Sequence, residues 1–242
     1  MGGVQMKTSI EGRRALITGA GSGIGGAVAQ RMSELGCDVV LVGRTGATLN
    51  ETAALCPGVT KTVTCDLTDE NNILALVGYI RATGGLDILV NNAGVVQSGP
   101  LEGISTEEFD TVMATNVRAP FILMRETLPL LKASPAPEII NICSVVAHEG
   151  YPNQSAYVAS KHALCGLSKS FANEVFEDGV RVHLISPGGV LTDMVAKVRP
   201  EIVGTPMIAP EDVADAAEYL LTHRSDAVCD EIRLHRVTKA PF

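Results

Sequence analysis

The chain has no tryptophan. Against that absence stand 24 glycines in 242 residues, a balance that favours tight turns and close approaches of backbone. No two of the six cysteines (Cys37, Cys56, Cys65, Cys143, Cys165, Cys229) form a CxxC pair, and none has metal-ligand spacing with the five histidines. That excludes a zinc site and a disulfide framework, leaving small buried thiols in a reducing compartment. No Lys/Arg cluster offsets the net charge of −8, which excludes nucleic acid and anionic membrane as partners and requires an anionic ligand to be captured locally. No apolar run approaches the length of a membrane span. "MGGVQMKTSI" has no hydrophobic signal region, and Met6 stands where myristoylation requires Ser or Thr. The expectation is a soluble, cytoplasmic protein. There is also no repeat, no low-complexity tract and no Pro/Ser-rich linker, so one domain is expected over residues 12–242 behind a flexible segment 1–11.

Instead, short apolar runs alternate with longer helical patterns. With 46% hydrophobic and 19% charged residues, the chain can bury a sizeable core. "RALIT" (14–18), "DVVLVG" (38–43), "VTKTVTCD" (59–66), "LDILVNN" (86–92), "EIINICS" (138–144), "VRVHLISP" (180–187) and "VCDEIRL" (228–234) read as strands. A helix is expected from about Gly23 to Leu35. Strands apolar on both faces and separated by helices predict an α/β protein, a doubly wound parallel sheet of about seven strands with helices on both faces. Such sheets bind ligands at the carboxyl ends of their strands.

The first strand runs into "TGAGSGIG" (18–25), with glycines at 19, 21, 23 and 25. Glycines permit a sharp strand-to-helix turn, and they also let a pyrophosphate approach the backbone N–H groups and the helix N-terminus. A glycine-rich loop alone is weak, but here a buried strand precedes it and a helix follows. An NAD site wants an acidic residue about 20 positions further on. That position holds Gly43, followed by Arg44. A guanidinium in place of a carboxylate favours a ribose 2′-phosphate, hence NADP(H) over NAD(H), although a solvated loop arginine would look the same.

"SAYVASKHAL" (155–164) places Tyr157 and Lys161 one helical turn apart on one face. A phenol has an ordinary pKa of about 10, too high for efficient proton transfer near neutrality. A lysine one turn away would lower it by favouring the phenolate. Ser144, at the end of a buried strand, has a hydroxyl able to donate to a carbonyl oxygen; alternatively it caps the strand end.

Together these stretches resemble the short-chain dehydrogenase/reductase family, over about Gly12 to Arg233. "TGAGSGIG" is similar to its cofactor turn, "NNAG" (91–94) to its strand-four signature and Asn116 in "TNVRAPF" to its helix asparagine. Ser144, thirteen residues before Tyr157, has the spacing of its serine; "YVASK" matches its Tyr-x-x-x-Lys pair and "SPGGVLTDM" (186–194) its nicotinamide-side loop. The resemblance implies a Rossmann-like fold and a catalytic set of Asn116, Ser144, Tyr157 and Lys161. Tyr157 would exchange a proton with the substrate oxygen, Lys161 would also grip the nicotinamide ribose, and Asn116 would hold a water linking Lys161 to solvent. Gly19, Ser22, Gly23, Ile24, Gly25, Arg44, Asp66, Leu67, Asn92, Ala93, Gly94, Pro187, Gly188, Val190 and Thr192, with Tyr157 and Lys161, would bind the cofactor. The bland readings are an N-cap at Asp66, a strand brace in "NNAG", a helix cap at Thr192 and a satisfied helix amide at Asn116.

The implied reaction moves a hydride between NADP(H) and the carbonyl or secondary alcohol of a small molecule. A 3-oxoacyl-acyl-carrier-protein reductase is the alternative enzyme, and a catalytically idle NADPH-binding sensor is the alternative outside enzymes. The resemblance also implies a homodimer or homotetramer. The chain departs from the family in a short, proline-containing lid after Thr192 and in a tail without the usual glycine-rich ending, which is more similar to the endings of NADP-dependent reductases acting on small polar or hydroxy-acid substrates; His148 is a candidate pocket residue or a solvated loop histidine.

Overall fold

The computed structural model describes residues 7–198 and 203–239. Seven strands, β1 (Arg14–Thr18), β2 (Asp38–Gly43), β3 (Thr60–Thr64), β4 (Ile88–Asn91), β5 (Glu138–Ile142), β6 (Arg181–Pro187) and β7 (Glu231–Leu234), form one sheet in the order β3-β2-β1-β4-β5-β6-β7. Every pairing is parallel. The helices are α1 (Gly23–Glu34), α2 (Gly46–Leu55), α3 (Glu70–Ala82), α4 (Thr106–Met113), α5 (Ala119–Leu131), α6 (Ser155–Glu174), α7 (Asp193–Val198) and α8 (Pro210–Thr222). The α/β architecture, the parallel sheet and the strand count match what the sequence predicts.

Alternation along the strands divides the core in two. Ala15, Ile17, Val39, Leu41, Val90 and Ile140 face α1 and α8, packing with Val28, Met32, Val213 and Leu220. Leu16, Val40, Leu89 and Ile139 face the other way, toward Ile73 and Ile80 of α3 and Leu123 of α5. Both faces of the central strands are covered, which is why β1, β2 and β4 read as nearly unbroken apolar runs, whereas the edge strand β3 (TKTVT) is partly exposed.

Most observed strands are shorter than their sequence runs. The expected 59–66, 86–92, 138–144 and 228–234 close to 60–64, 88–91, 138–142 and 231–234. The residues shed at the carboxyl ends, including Asn92, Ser144 and Asp66, leave the ladder and become loops of the site. Strand β1 pairs β2 on one side and β4 on the other. The winding therefore reverses there, and the loops after β1 and β4 part to open a crevice.

The opposite end of the sheet is locked by charge. Glu138, fully buried, accepts from His183 Nε2 at 2.8 Å and from Arg224 Nη1 at 2.6 Å, while His183 Nδ1 donates to the Cys229 carbonyl at 2.8 Å. Residues 1–6 of the expected N-terminal segment lie outside the described residues. Residues 7–11 lie against α8: the Thr8 N–H donates to the Thr222 carbonyl at 2.7 Å, and Ile10 is buried. Part of the expected lid, residues 199–202, is also outside the described residues.

Candidate active site

The turn after β1 shows why it needs glycine. Gly19 has φ +64°, in the left-handed region that favours glycine, and a Cβ there would lie 2.9 Å from Ala93 Cα. At Gly25 a Cβ would sit 2.3 Å from the Gly19 carbonyl oxygen and 2.4 Å from Asn92 Nδ2. The β1 and β4 loops are laced together above this contact. Asn92 Nδ2 donates to the Thr18 and Gly19 carbonyls at 2.9 and 3.2 Å, and the N–H groups of Asn92 and Ala93 both donate to Thr18 Oγ1 at 3.0 Å. Thr18 is thus a hinge pin of the crevice that the sequence reading did not single out.

A cavity of about 370 Å³ runs along the strand ends. Every predicted cofactor residue except Gly25 lines it: Gly19, Ser22, Gly23, Ile24, Arg44, Asp66, Leu67, Asn92, Ala93, Gly94, Tyr157, Lys161, Pro187, Gly188, Val190 and Thr192. Gly25 is corrected from a contact residue to a packing residue, because it lies buried under the turn with the Gly19 carbonyl against it. Thr45 and Thr48 also line the cavity beside Arg44. In the sequence their only mark is a pair of hydroxyls close behind the arginine. Asp66 caps its own loop, accepting from the Thr68 N–H at 2.9 Å and its hydroxyl at 2.8 Å, which holds its carboxyl below the usual range; Arg44 adds to this.

Helix α6 presents Tyr157 and Lys161 toward the end of β5. Lys161 is buried, and its Nζ donates to the Ile142 carbonyl at 2.9 Å. It stands 5.7 Å from the centroid of the Tyr157 ring. Among the described residues no carboxylate pairs with it, and burial lowers its pKa. An ammonium carries three donors; the Ile142 carbonyl takes one, and Lys161 itself lines the cavity. Ser144 leaves β5 in extended conformation. Its Oγ accepts from the Val146 N–H at 3.3 Å and donates to the Pro187 carbonyl at 3.4 Å, so it caps a turn and faces the cavity as well.

Two expectations change. Tyr157 is not lowered by its lysine: burial pushes its phenol up to about 12, and a hydrogen bond with Ser144 opposes this without overcoming it. The Lys161 ammonium is itself desolvated and directed at a backbone carbonyl. Asn116 lines neither the cofactor cavity nor its neighbour. It lies buried in a π-helical turn (114–118) between α4 and α5, where a wide turn often marks a functional position. Its Nδ2 donates to the Val95 carbonyl at 2.8 Å and to Ser160 Oγ at 3.0 Å, and its Oδ1 accepts from the Val95 N–H at 2.8 Å. The side chain ties the β4 loop to α6 rather than reaching solvent.

A second cavity of about 310 Å³ shares Ser144, Tyr157 and Gly188 with the first. Tyr151, Gln154, Glu149, His235, Arg236 and Lys239 also line it. No local pattern marked these residues, since the tail meets residues 149–154 only in three dimensions. His148 lines neither cavity; its Nε2 lies 2.6 Å from Glu231 Oε1 instead. Burial pushes the Glu231 carboxyl up, but hydrogen bonds from Ser186, Arg233 and His148 outweigh it and hold the group below its usual range.

A crevice at the switch point, a glycine turn under it and a buried unpaired lysine in its wall fit a dinucleotide: the turn keeps the crevice open and the lysine's spare donors suit ribose hydroxyls. Fold and site therefore define a dinucleotide-dependent oxidoreductase. The family model for short chain dehydrogenases matches residues 13–202, and the chain belongs to that family. It is 35% identical over 227 residues to a 3-oxoacyl-acyl-carrier-protein reductase of Rickettsia bellii, covering 90% of this chain and 93% of the relative. It is 37% identical over 207 residues to a D-beta-hydroxybutyrate dehydrogenase of Rhizobium meliloti (83% and 80% covered). A metagenomic short-chain oxidoreductase solved with NADP superposes with a TM-score of 0.81 at 34% identity, covering 95% of this chain and all of the other. A Beutenbergia cavernae protein provisionally named a gluconate 5-dehydrogenase, with NADP bound at low occupancy, gives 0.85 at 32% identity (94% and 96% covered). Among the described residues no helix is long and apolar enough to cross a membrane.

Proposed function

We propose that residues 12–242 form one catalytic domain that interconverts a carbonyl and a secondary alcohol on a small molecule, using NADP(H). One observation carries this reading: Ser144 and Tyr157 line both cavities, so their hydroxyls mark the junction of a cofactor crevice and a substrate pocket. When bound, the cofactor supplies or takes up the hydride. Arg44, with Thr45 and Thr48, would hold the 2′-phosphate, in keeping with the NADP found in the two solved relatives. Asp66 and Leu67 would meet the adenine, and Asn92, Ala93 and Gly94 its ribose. Tyr157 and Lys161 would hold the nicotinamide ribose, and Pro187, Gly188, Val190 and Thr192 the nicotinamide side.

Ser144 would orient and polarise the substrate oxygen, and Tyr157 would exchange a proton with it. With its pKa near 12, Tyr157 keeps its proton at neutral pH, which is the form that donates in the reductive direction. Lys161 places a cation below that oxygen. Asn116 acts as a positioning residue, through Val95 and Ser160.

The test is NADPH consumption across ketones, 3-oxo esters, oxo acids and 3-oxoacyl thioesters. Tyr157→Phe should lose activity on every accepted substrate by about 100-fold or more; full turnover by this variant overturns the assignment. The sequence similarity to the R. bellii reductase favours a second reading, reduction of carrier-bound 3-oxoacyl groups. Thioesters reduced well ahead of free acids and simple ketones would select it. We further propose a cytoplasmic homodimer or homotetramer through α4–α5 and α6, supported by the exposed Phe109 and Phe121 and tested by sedimentation.

A further inference from the structure

The substrate cavity has a basic wall built by the tail. Strand β7 ends at Leu234, whose carbonyl accepts the Gly188 N–H at 2.7 Å, and Gly188 borders both cavities. The chain therefore leaves the sheet on the substrate side. It turns at once, the Lys239 N–H donating to the Arg236 carbonyl at 2.9 Å. This turn brings His235, Arg236 and Lys239 into the cavity that holds Ser144 and Tyr157.

The charges on that wall do not cancel. Lys239 Nζ lies 2.5 Å from Glu149 Oε1, and both line the cavity, so this pair is neutral as a unit. Arg236, half-buried, donates from Nη1 to Thr205 Oγ1 at 3.2 Å, a partner without charge. Among the described residues no carboxylate lies within ion-pair distance of Arg236 to offset this guanidinium, in a chain whose net charge is −8. The rest of the cavity includes Val96, Val145, Val146, Val195 and Val198. Apolar walls strengthen the field of a charge that they partly shield from water. A planar guanidinium matches a carboxylate in two parallel hydrogen bonds, and a single spare charge matches a monoanion.

We propose that Arg236 is a carboxylate-binding, specificity-determining residue, and that the substrate is a small oxo acid or hydroxy acid held with its acid group on the tail and its reacting carbon at Ser144 and Tyr157. This rests on the reading of Ser144 and Tyr157 as the reacting end. Lys239 is a reserve cation, engaged by Glu149.

The test is calorimetric titration of the NADP⁺-saturated protein with 3-oxobutanoate, 2-oxobutanoate and a six-carbon oxo sugar acid, each against its methyl ester. Parallel steady-state assays use NADPH. At least one acid should bind more tightly than its ester. A charge-assisted hydrogen bond corresponds to about 10- to 100-fold in affinity, so Arg236→Gln should weaken the acid by about that factor and leave the ester unchanged. Arg236→Lys should recover part of the loss, and Glu149→Gln, which frees Lys239, should tighten the acid. In turnover the loss should fall on KM rather than kcat.

Equal losses on acid and ester under Arg236→Gln, no change on either, or no acid preferred to its ester by the wild type would each overturn the proposal. Turnover of esters without any preference for acids would sink the anion site and leave the oxidoreductase standing. Arg236-dependent binding of acids without NADPH turnover on any compound would do the reverse.

Discussion

Lys161 Nζ donates to the Ile142 carbonyl at 2.9 Å from a position that is almost wholly buried, without a carboxylate partner among the described residues. A buried cation held only by a neutral carbonyl costs stability. Lys161→Met should therefore leave the melting temperature unchanged or raise it, while NADPH affinity falls by about 10- to 100-fold. Differential scanning fluorimetry and NADPH fluorescence titration check the two halves. A variant that unfolds would show that the lysine is structural.

Tyr157 gives a pH signature in the protein without nucleotide. Its folded pKa, about 12, lies above the unfolded value near 10. Its contribution to stability is fully present below pH 10 and is lost as pH rises from about 10 to about 12, because the unfolded chain ionises first. In a spectrophotometric titration at 295 nm, the difference between wild type and Tyr157→Phe should stay flat up to about pH 11. A difference step centred at or below pH 10 would contradict the assignment.

Arg44 is exposed at the rim of the cavity, directly after Gly43, which stands where an acidic residue would serve NAD. Arg44→Ala should weaken NADPH by about 10-fold or more with NADH little changed. The ratio of kcat/KM for the two cofactors measures it; an unaltered ratio removes the argument for the 2′-phosphate.

Gly25→Ala is expected to act on the fold rather than on chemistry. The added methyl would meet backbone oxygen at 2.3 Å, which a turn laced by Asn92 cannot relieve cheaply. A loss of about 1–3 kcal/mol in urea unfolding is expected, with the crevice widened enough to weaken NADPH. Unchanged stability would mean that the turn gives way.

Glu138 is satisfied by His183 and Arg224 while fully buried. Glu138→Ala removes the shared acceptor, leaving the Arg224 guanidinium without its carboxylate and His183 Nε2 without its buried partner, so about 3–5 kcal/mol of stability should be lost. Urea midpoints test this, and kcat/KM of the folded fraction should hold, since the cluster lies at the end of the sheet remote from the site.

The alternation of apolar strands with helical stretches, together with "TGAGSGIG" and "YVASK", was enough to place the sheet and the crevice, and all but one of the residues expected to bind a cofactor line that cavity. These features are local: a strand buried on both faces must be apolar throughout, and a strand-to-helix turn over a nucleotide must lack side chains. Tertiary structure decided the rest. Gly25 serves packing because Gly19 and Asn92 close over it, and Asn116 braces the β4 loop against α6 because Val95 and Ser160 come to it. Burial overrides the proximity of Lys161 and sets the phenol of Tyr157 high. The tail contributes Arg236 to the substrate side only because β7 ends against Gly188. Desolvation and long-range contact depend on what the remainder of the chain brings near, and no spacing along the sequence records that.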